Sequence, residues 1–251
     1  MSSWSQKRRM IYGGIVMTVV VGTISILGYS FFYKAPTCSD GVKNGDELGI
    51  DCGGSCVKMC ASSFLPPKVS WTRFERITPN MINIASYVEN LNVNGEAFNV
   101  PYHLELFDTK GILIVEFDGV FSMPPSRNAL AFQGDVDIGS RIPAKAQMTI
   151  TGIPDWHKRE DPLALLIVMD KQYSEDGAGS SLIVKLKNTS ARDIGKVSVY
   201  AILYDKSGNA IGFSKTMVDS IAAGGTVIAP FTWPVDHHGA VVSTEILRIA
   251  E

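Results

Sequence analysis

The hydrophobic pattern of the chain changes character twice. From Met10 to Tyr33 it is continuously apolar, with no charged residue. At 1.5 Å rise per residue, a helix of about 24 residues crosses a hydrocarbon core of roughly 30 Å with some tilt. From Pro66-Pro67 onward it becomes short runs of alternating apolar and polar residues broken by turn residues, the period-2 signal of half-buried strands. Between them lies Thr37–Cys60, too short and too polar for a core.

The alternation predicts twelve strands in two sets. The first is Val69–Arg76, Met81–Glu89, Tyr102–Phe107, Leu113–Phe117, Ala129–Val136 and Gln147–Thr151. The second is Leu163–Tyr173, Ser181–Leu186, Lys196–Tyr204, Ala210–Val218, Thr226–Trp233 and Val241–Ile249. The sets match at an offset of about 97 residues. Val88-Glu89-Asn90 corresponds to Leu186-Lys187-Asn188, the run His103–Gly111 to Tyr200–Gly208, and Pro124-Pro125-Ser126 to Ile221-Ala222-Ala223. That period is the size of one immunoglobulin-like sandwich. In each copy an Asp-x-x-Gly turn follows the hairpin's first strand, Asp capping its own backbone and Gly supplying positive φ. The segment PDWHKREDP (154–162) reads as the polar linker between copies, and SEDGAGSS (174–181) as a loop inside the second.

The expected fold is therefore mainly β: two tandem sandwiches after a transmembrane helix and a small cysteine-rich motif. The expected parts are a cytoplasmic tail (1–9), the helix (10–33), the motif and its linker (34–65), a first sandwich (66–158) and a second (159–251). Lys7, Arg8 and Arg9 precede the apolar run, so the positive-inside rule keeps the N-terminus cytoplasmic and exports the rest. A cleaved signal peptide is the rival, with Gly28-Tyr29-Ser30 as a small-x-small site. The run is longer than a signal's apolar region and continues past that site, which favours an anchor. Gly14, Thr18 and Gly22 fall at i, i+4, i+8, a spacing that lets two membrane helices approach; small residues are also common in such helices without that role.

All four cysteines, Cys38, Cys52, Cys56 and Cys60, fall within 23 positions. Export favours two disulfides. No pair of CxxC knuckles and no His within the stretch speaks for zinc, and no CxxC speaks for a catalytic dithiol. Four cysteines allow three pairings, and the spacing does not choose. Asp40, Asn44, Asp46, Glu47 and Asp51, set among glycines, offer the oxygens a calcium ion needs, although not at EF-hand spacing. The same residue types also serve turn geometry alone.

These residues carry a resemblance. Cys38, Asp40, Gly41, Asn44, Gly45, Glu47, Asp51, Cys52, Gly53, Gly54 and Cys56 resemble a CxDGxxNGxExxxDCGGxC stretch of extracellular proteins. The order of anchor, motif and β domains is similar to membrane-anchored envelope proteins of candidate-phyla (Patescibacteria-type) bacteria. Ile202-Leu203-Tyr204-Asp205, with the Ala223-Gly224-Gly225 turn, resembles FxLYD-type domains of bacterial surface proteins. Ile202 stands where that pattern has Phe, and the first copy reads Glu105-Leu106-Phe107-Asp108. The resemblance implies an architecture rather than an activity.

A net charge of -2 gives no basic surplus for nucleic acid. Of the four histidines, His103 sits on a strand, His157 in the linker, and Asp236-His237-His238 in a loop where neighbours on an extended chain point apart. No nucleophile elbow, phosphate loop or zinc-protease motif occurs, and no enzyme is expected. The reading is a membrane-anchored envelope module that binds surface or envelope proteins, with a homo-oligomer possible. The alternative is an accessory subunit of a secretion, pilus or transport assembly that binds through its helix.

Overall fold

The computed structural model describes residues 4–33 and 35–251; Met1–Ser3 of the expected tail, and Lys34, lie outside the described residues. The chain divides into one unit ending at Ser55 and a larger one from Cys56.

In the first unit a single helix, α1, runs Trp4–Phe32, with none of its residues buried. It starts earlier than the apolar run because Gln6, Lys7, Arg8 and Arg9 favour helix and nothing before Met10 breaks it. From Trp4 on, the residues of the expected tail are helical. Arg8 lies 3.9 Å over the Trp4 ring. At the other end the Tyr33 N–H still donates to Tyr29 O, at 2.8 Å.

The second unit is antiparallel β throughout. Its first half contains β1 (Lys68–Arg76), β2 (Met81–Glu89), β3 (Gly95–Asp108), β4 (Leu113–Met123), β5 (Ala129–Asp137), β6 (Pro143–Ile150) and the short β7 (Trp156–Lys158). Its second half contains β8 (Leu166–Glu175), β9 (Ser180–Asn188), β10 (Val197–Tyr204), β11 (Ala210–Val218), β12 (Thr226–Trp233) and β13 (Ser243–Ala250). The first half forms sheets β1-β2-β5 and β4-β3-β6; the second forms β12-β9-β8 and β11-β10-β13. Taken strand for strand, the two halves have the same order.

The correspondence of the two halves extends to hydrogen bonds. Asp108 Oδ1 accepts the N–H groups of Lys110 and Ile112, and Asp205 Oδ1 those of Ser207 and Asn209. Gly111 and Gly208, fourth in each turn, both sit at φ 76. These backbone donors hold both carboxyls below their usual range. Deeper in, Asn90 Nδ2 donates to Pro124 O at 2.8 Å, and Asn188 Nδ2 to the matching Ile221 O at 3.1 Å.

The expected linker differs from expectation. Trp156–Lys158 pairs with Gly95–Ala97 of β3, and the Trp156 side chain is buried. On its other side Met59 N donates to Trp156 O and Lys158 N to Val57 O. A buried indole thus turns a polar, proline-bracketed segment into an ordered strand. Arg159 pairs with Glu96 and Arg127 with Asp161, fastening the stretch that leads into β8.

The two halves also share a face. Along β10, Val197, Val199, Ala201 and Leu203 belong to the second half's own core. Its alternate residues Tyr200 and Ile202, with Phe213, Leu247 and Ile249, join the first half's apolar cluster. Both faces of β10 are therefore covered, which is why VSVYAILY reads as a continuous apolar run rather than an alternation. On the facing sheet Trp71 stacks with Tyr87 and with Phe213, ring centres 5.5 and 6.0 Å apart. Polar groups cross as well. Glu245 accepts from Tyr87 and Tyr204, both at 2.8 Å. Arg73 donates to Asn209 at 3.0 Å. Burial, then the Glu245 carboxylate, pushes Tyr87 up to about 12.

Candidate functional site

Three groups of residues drew functional expectations. The cysteine loop is the first. All four cysteines are disulfide-bonded, and none is free. Within residues 37–55 the side chains named as calcium ligands lie in one loop and close it on its own backbone. Asp40 Oδ1 accepts Val42 N–H at 2.9 Å, and its Oδ2 accepts Asn44 Nδ2 at 2.8 Å. Asp51 accepts Gly41 N–H with both oxygens, at 3.1 and 3.0 Å. Glu47, buried, accepts the N–H groups of Asn44 and Asp51, and Asp46 accepts Ser55 Oγ. Gly54 takes φ 55, and a Cβ there would stand 2.1 Å from Asp46 O; only glycine fits.

Carboxylates that receive backbone N–H groups replace the sheet hydrogen bonds such a loop lacks. The same oxygens are the donor set of a hard cation. A calcium titration of the full chain separates the two uses. If the loop takes calcium, its melting transition rises with the ion and falls back on chelation. An unchanged transition leaves these side chains with hydrogen bonding alone.

The helix stripe is the second group. Gly14, Thr18 and Gly22 are exposed along α1. Thr18 Oγ1 donates to Gly14 O at 2.9 Å, so its hydroxyl is already satisfied within the helix. A Cβ at Gly14 or Gly22 would meet nothing.

The histidines are the third. His103 is on β3 as expected but turns to the open face, its Nδ1 2.9 Å from Asp118. That carboxylate, ahead of the opposing burial effect, raises its pKa. His237 and His238 point apart. His238 is exposed beside Asp236, while the His237 ring is buried, its Nε2 3.3 Å from Glu75 Oε1. His237 Nδ1 lies 2.9 Å from Ser180 Oγ and 3.2 Å from Tyr173 Oη. Those hydroxyls give their own hydrogens to Val235 O and Glu175 Oε1, so Nδ1 donates and Nε2 is left facing Glu75. The other Glu75 oxygen accepts Phe213 N–H on β11 at 3.0 Å. Glu75 lies 162 residues from His237 in sequence, and only the shared face of the two halves brings them together.

Compared with known proteins, the chain matches no family model and no curated sequence.

Proposed function

We propose that the chain is a single-pass, membrane-anchored envelope protein. Its β unit stands on the exported side as a non-catalytic binding or structural module. One observation carries this: a helix with no charge from Met10 onward, led by Lys7-Arg8-Arg9, precedes four cysteines that are all in disulfides. Disulfides belong to an oxidising compartment, and the basic residues set the same orientation. The 1-2-5 and 4-3-6 sheet orders support an immunoglobulin-like reading of each half. The short Asp-x-x-Gly turns and edge strands are the surfaces such a module offers to envelope or surface proteins.

The test is thiol accessibility in intact cells expressing the full chain. A membrane-impermeant maleimide is expected to label nothing before reduction. After reduction it should label cysteines from outside, on a protein that stays in the membrane fraction and keeps its N-terminal residues. Labelling without reductant, or only after lysis, would overturn export. Loss of the first residues would make α1 a signal sequence. The subunit reading rests on Gly14, Thr18 and Gly22, and exchanging α1 for an unrelated span decides it: assembly lost with the helix favours that reading.

A further inference from the structure

A cleft of about 350 Å³ opens where β4 and β5 of the first half meet the outer face of the β11-β10-β13 sheet. Its size is that of a small-molecule site at a junction of folded layers. Three features set it apart from a packing gap. First, β3 carries a bulge between Ala97 and Val100. It sets two residues, Phe98 and Asn99, against the single Ser122 of β4 and turns them out to the cleft, with Phe98 45% exposed. Bulges re-aim side chains in this way next to functional sites.

Second, Tyr102 and Tyr200 line the cleft and are only 5% and 8% exposed. Neither hydroxyl makes a hydrogen bond among the described residues. Their rings are buried, while their hydroxyls are left to the cleft. Gly119, opposite Tyr102, leaves room for its ring, since a Cβ there would lie 2.5 Å from the hydroxyl. Third, the cleft holds one charge of each sign. Lys215 Nζ sits 5.3 Å over the Tyr200 ring, and Glu251 is anchored by the Ser198 hydroxyl.

This chemistry narrows the ligand. A phosphate or other compact anion would meet Glu251 as well as Lys215. A wholly apolar ligand would bury two phenols and two charges without partners, which is costly. A polyol with C–H faces satisfies all of them. We infer that the cleft is a saccharide site: Phe98 and Phe132 supply apolar surface for one sugar ring, while Tyr102, Tyr200, Lys215 and Glu251 exchange hydrogen bonds with its hydroxyls. The inference rests on the exported-module reading only for where the sugar would be met.

Calorimetric titration of the full chain in detergent micelles tests it, using oligomers of N-acetylglucosamine, of a neutral hexose and of a hexuronic acid. One class is expected to bind saturably at one site per chain. Tyr200→Phe, which keeps the ring, should weaken it about fivefold, the scale of one hydrogen bond. Phe98→Ala, at an exposed position, should weaken it further, with the melting transition of both variants unchanged. Binding by none of the three classes, or binding indifferent to both substitutions, overturns the proposal. Either result leaves the thiol-labelling test untouched, so the two readings fail separately.

Discussion

Replacing Asn188 by alanine is expected to cost the β unit about 3–4 kcal/mol, among the largest effects of any single polar truncation in the chain. Asn188 is fully buried. Its amide nitrogen donates to Arg192 O, Ile221 O and Ala222 O, at 2.7, 3.1 and 3.1 Å. Its carbonyl accepts the N–H and hydroxyl of Ser190. One side chain thus ties the end of β9 to two separate turns, and its removal strands carbonyls where water does not reach. Asn188→Asp should be no milder, because it removes the donors and buries a charge. Asn90→Ala should cost less: Asn90 is only partly buried, and its amide reaches two carbonyls, Gly95 O and Pro124 O. Denaturant unfolding of the full chain measures both. A lower midpoint at unchanged slope, larger for Asn188, is the expected result; equal losses would deny the difference in burial.

The second large effect concerns Glu75. Glu75→Ala is expected to cost about 3 kcal/mol, because it strands the Phe213 N–H and removes the partner of buried His237. Glu75→Gln should be much milder, since its amide oxygen can still accept from Phe213 and its NH2 can face Nε2. The pH dependence separates the variants further. Burial raises the Glu75 pKa from its ordinary 4.5, outweighing the lowering effects of His237 and the Phe213 N–H. A carboxyl whose folded pKa is raised contributes stability that is full below the unfolded value and is lost as pH rises through the folded one. The wild type should therefore lose stability relative to Glu75→Gln as pH climbs above about 4.5. Stability curves for wild type and Glu75→Gln that run parallel across that range would contradict this account.

The strands were legible where alternation was uninterrupted and both ends carried turn residues. Met81–Glu89, Ala210–Val218 and Thr226–Trp233 are found at the bounds their patterns predict. Alternation failed where the chain broke its own rhythm. β3 starts at Gly95, seven residues before the expected Tyr102, because Gly95, the Phe98-Asn99 bulge and Pro101 read as loop. β7 was hidden in PDWHKREDP, where Trp156 alone signalled burial. The cysteine loop was legible as a loop, and its carboxylates as a set. Which backbone donors they meet was not, because that depends on where the chain folds back. Glu75 and His237 could not have been paired from sequence: an acidic residue on a strand that alternates Trp71, Arg73, Glu75 looks solvated until a second sheet covers that face. The cleft residues suffer the same limit, being drawn from six strands and from Glu251 after the last one.

The shared face has a consequence for how the chain can be divided. Two halves with one strand order invite cutting between them, as if they were beads. Residues 163–251 produced alone would bare Ile202, Phe213, Leu247 and Ile249 as one contiguous apolar sheet face, of the kind that drives self-association. The partner half would bare Trp71 and the open side of β1-β2-β5 and leave Glu75 without its acceptor role. The two halves share one strand order, yet each keeps the other's apolar face covered.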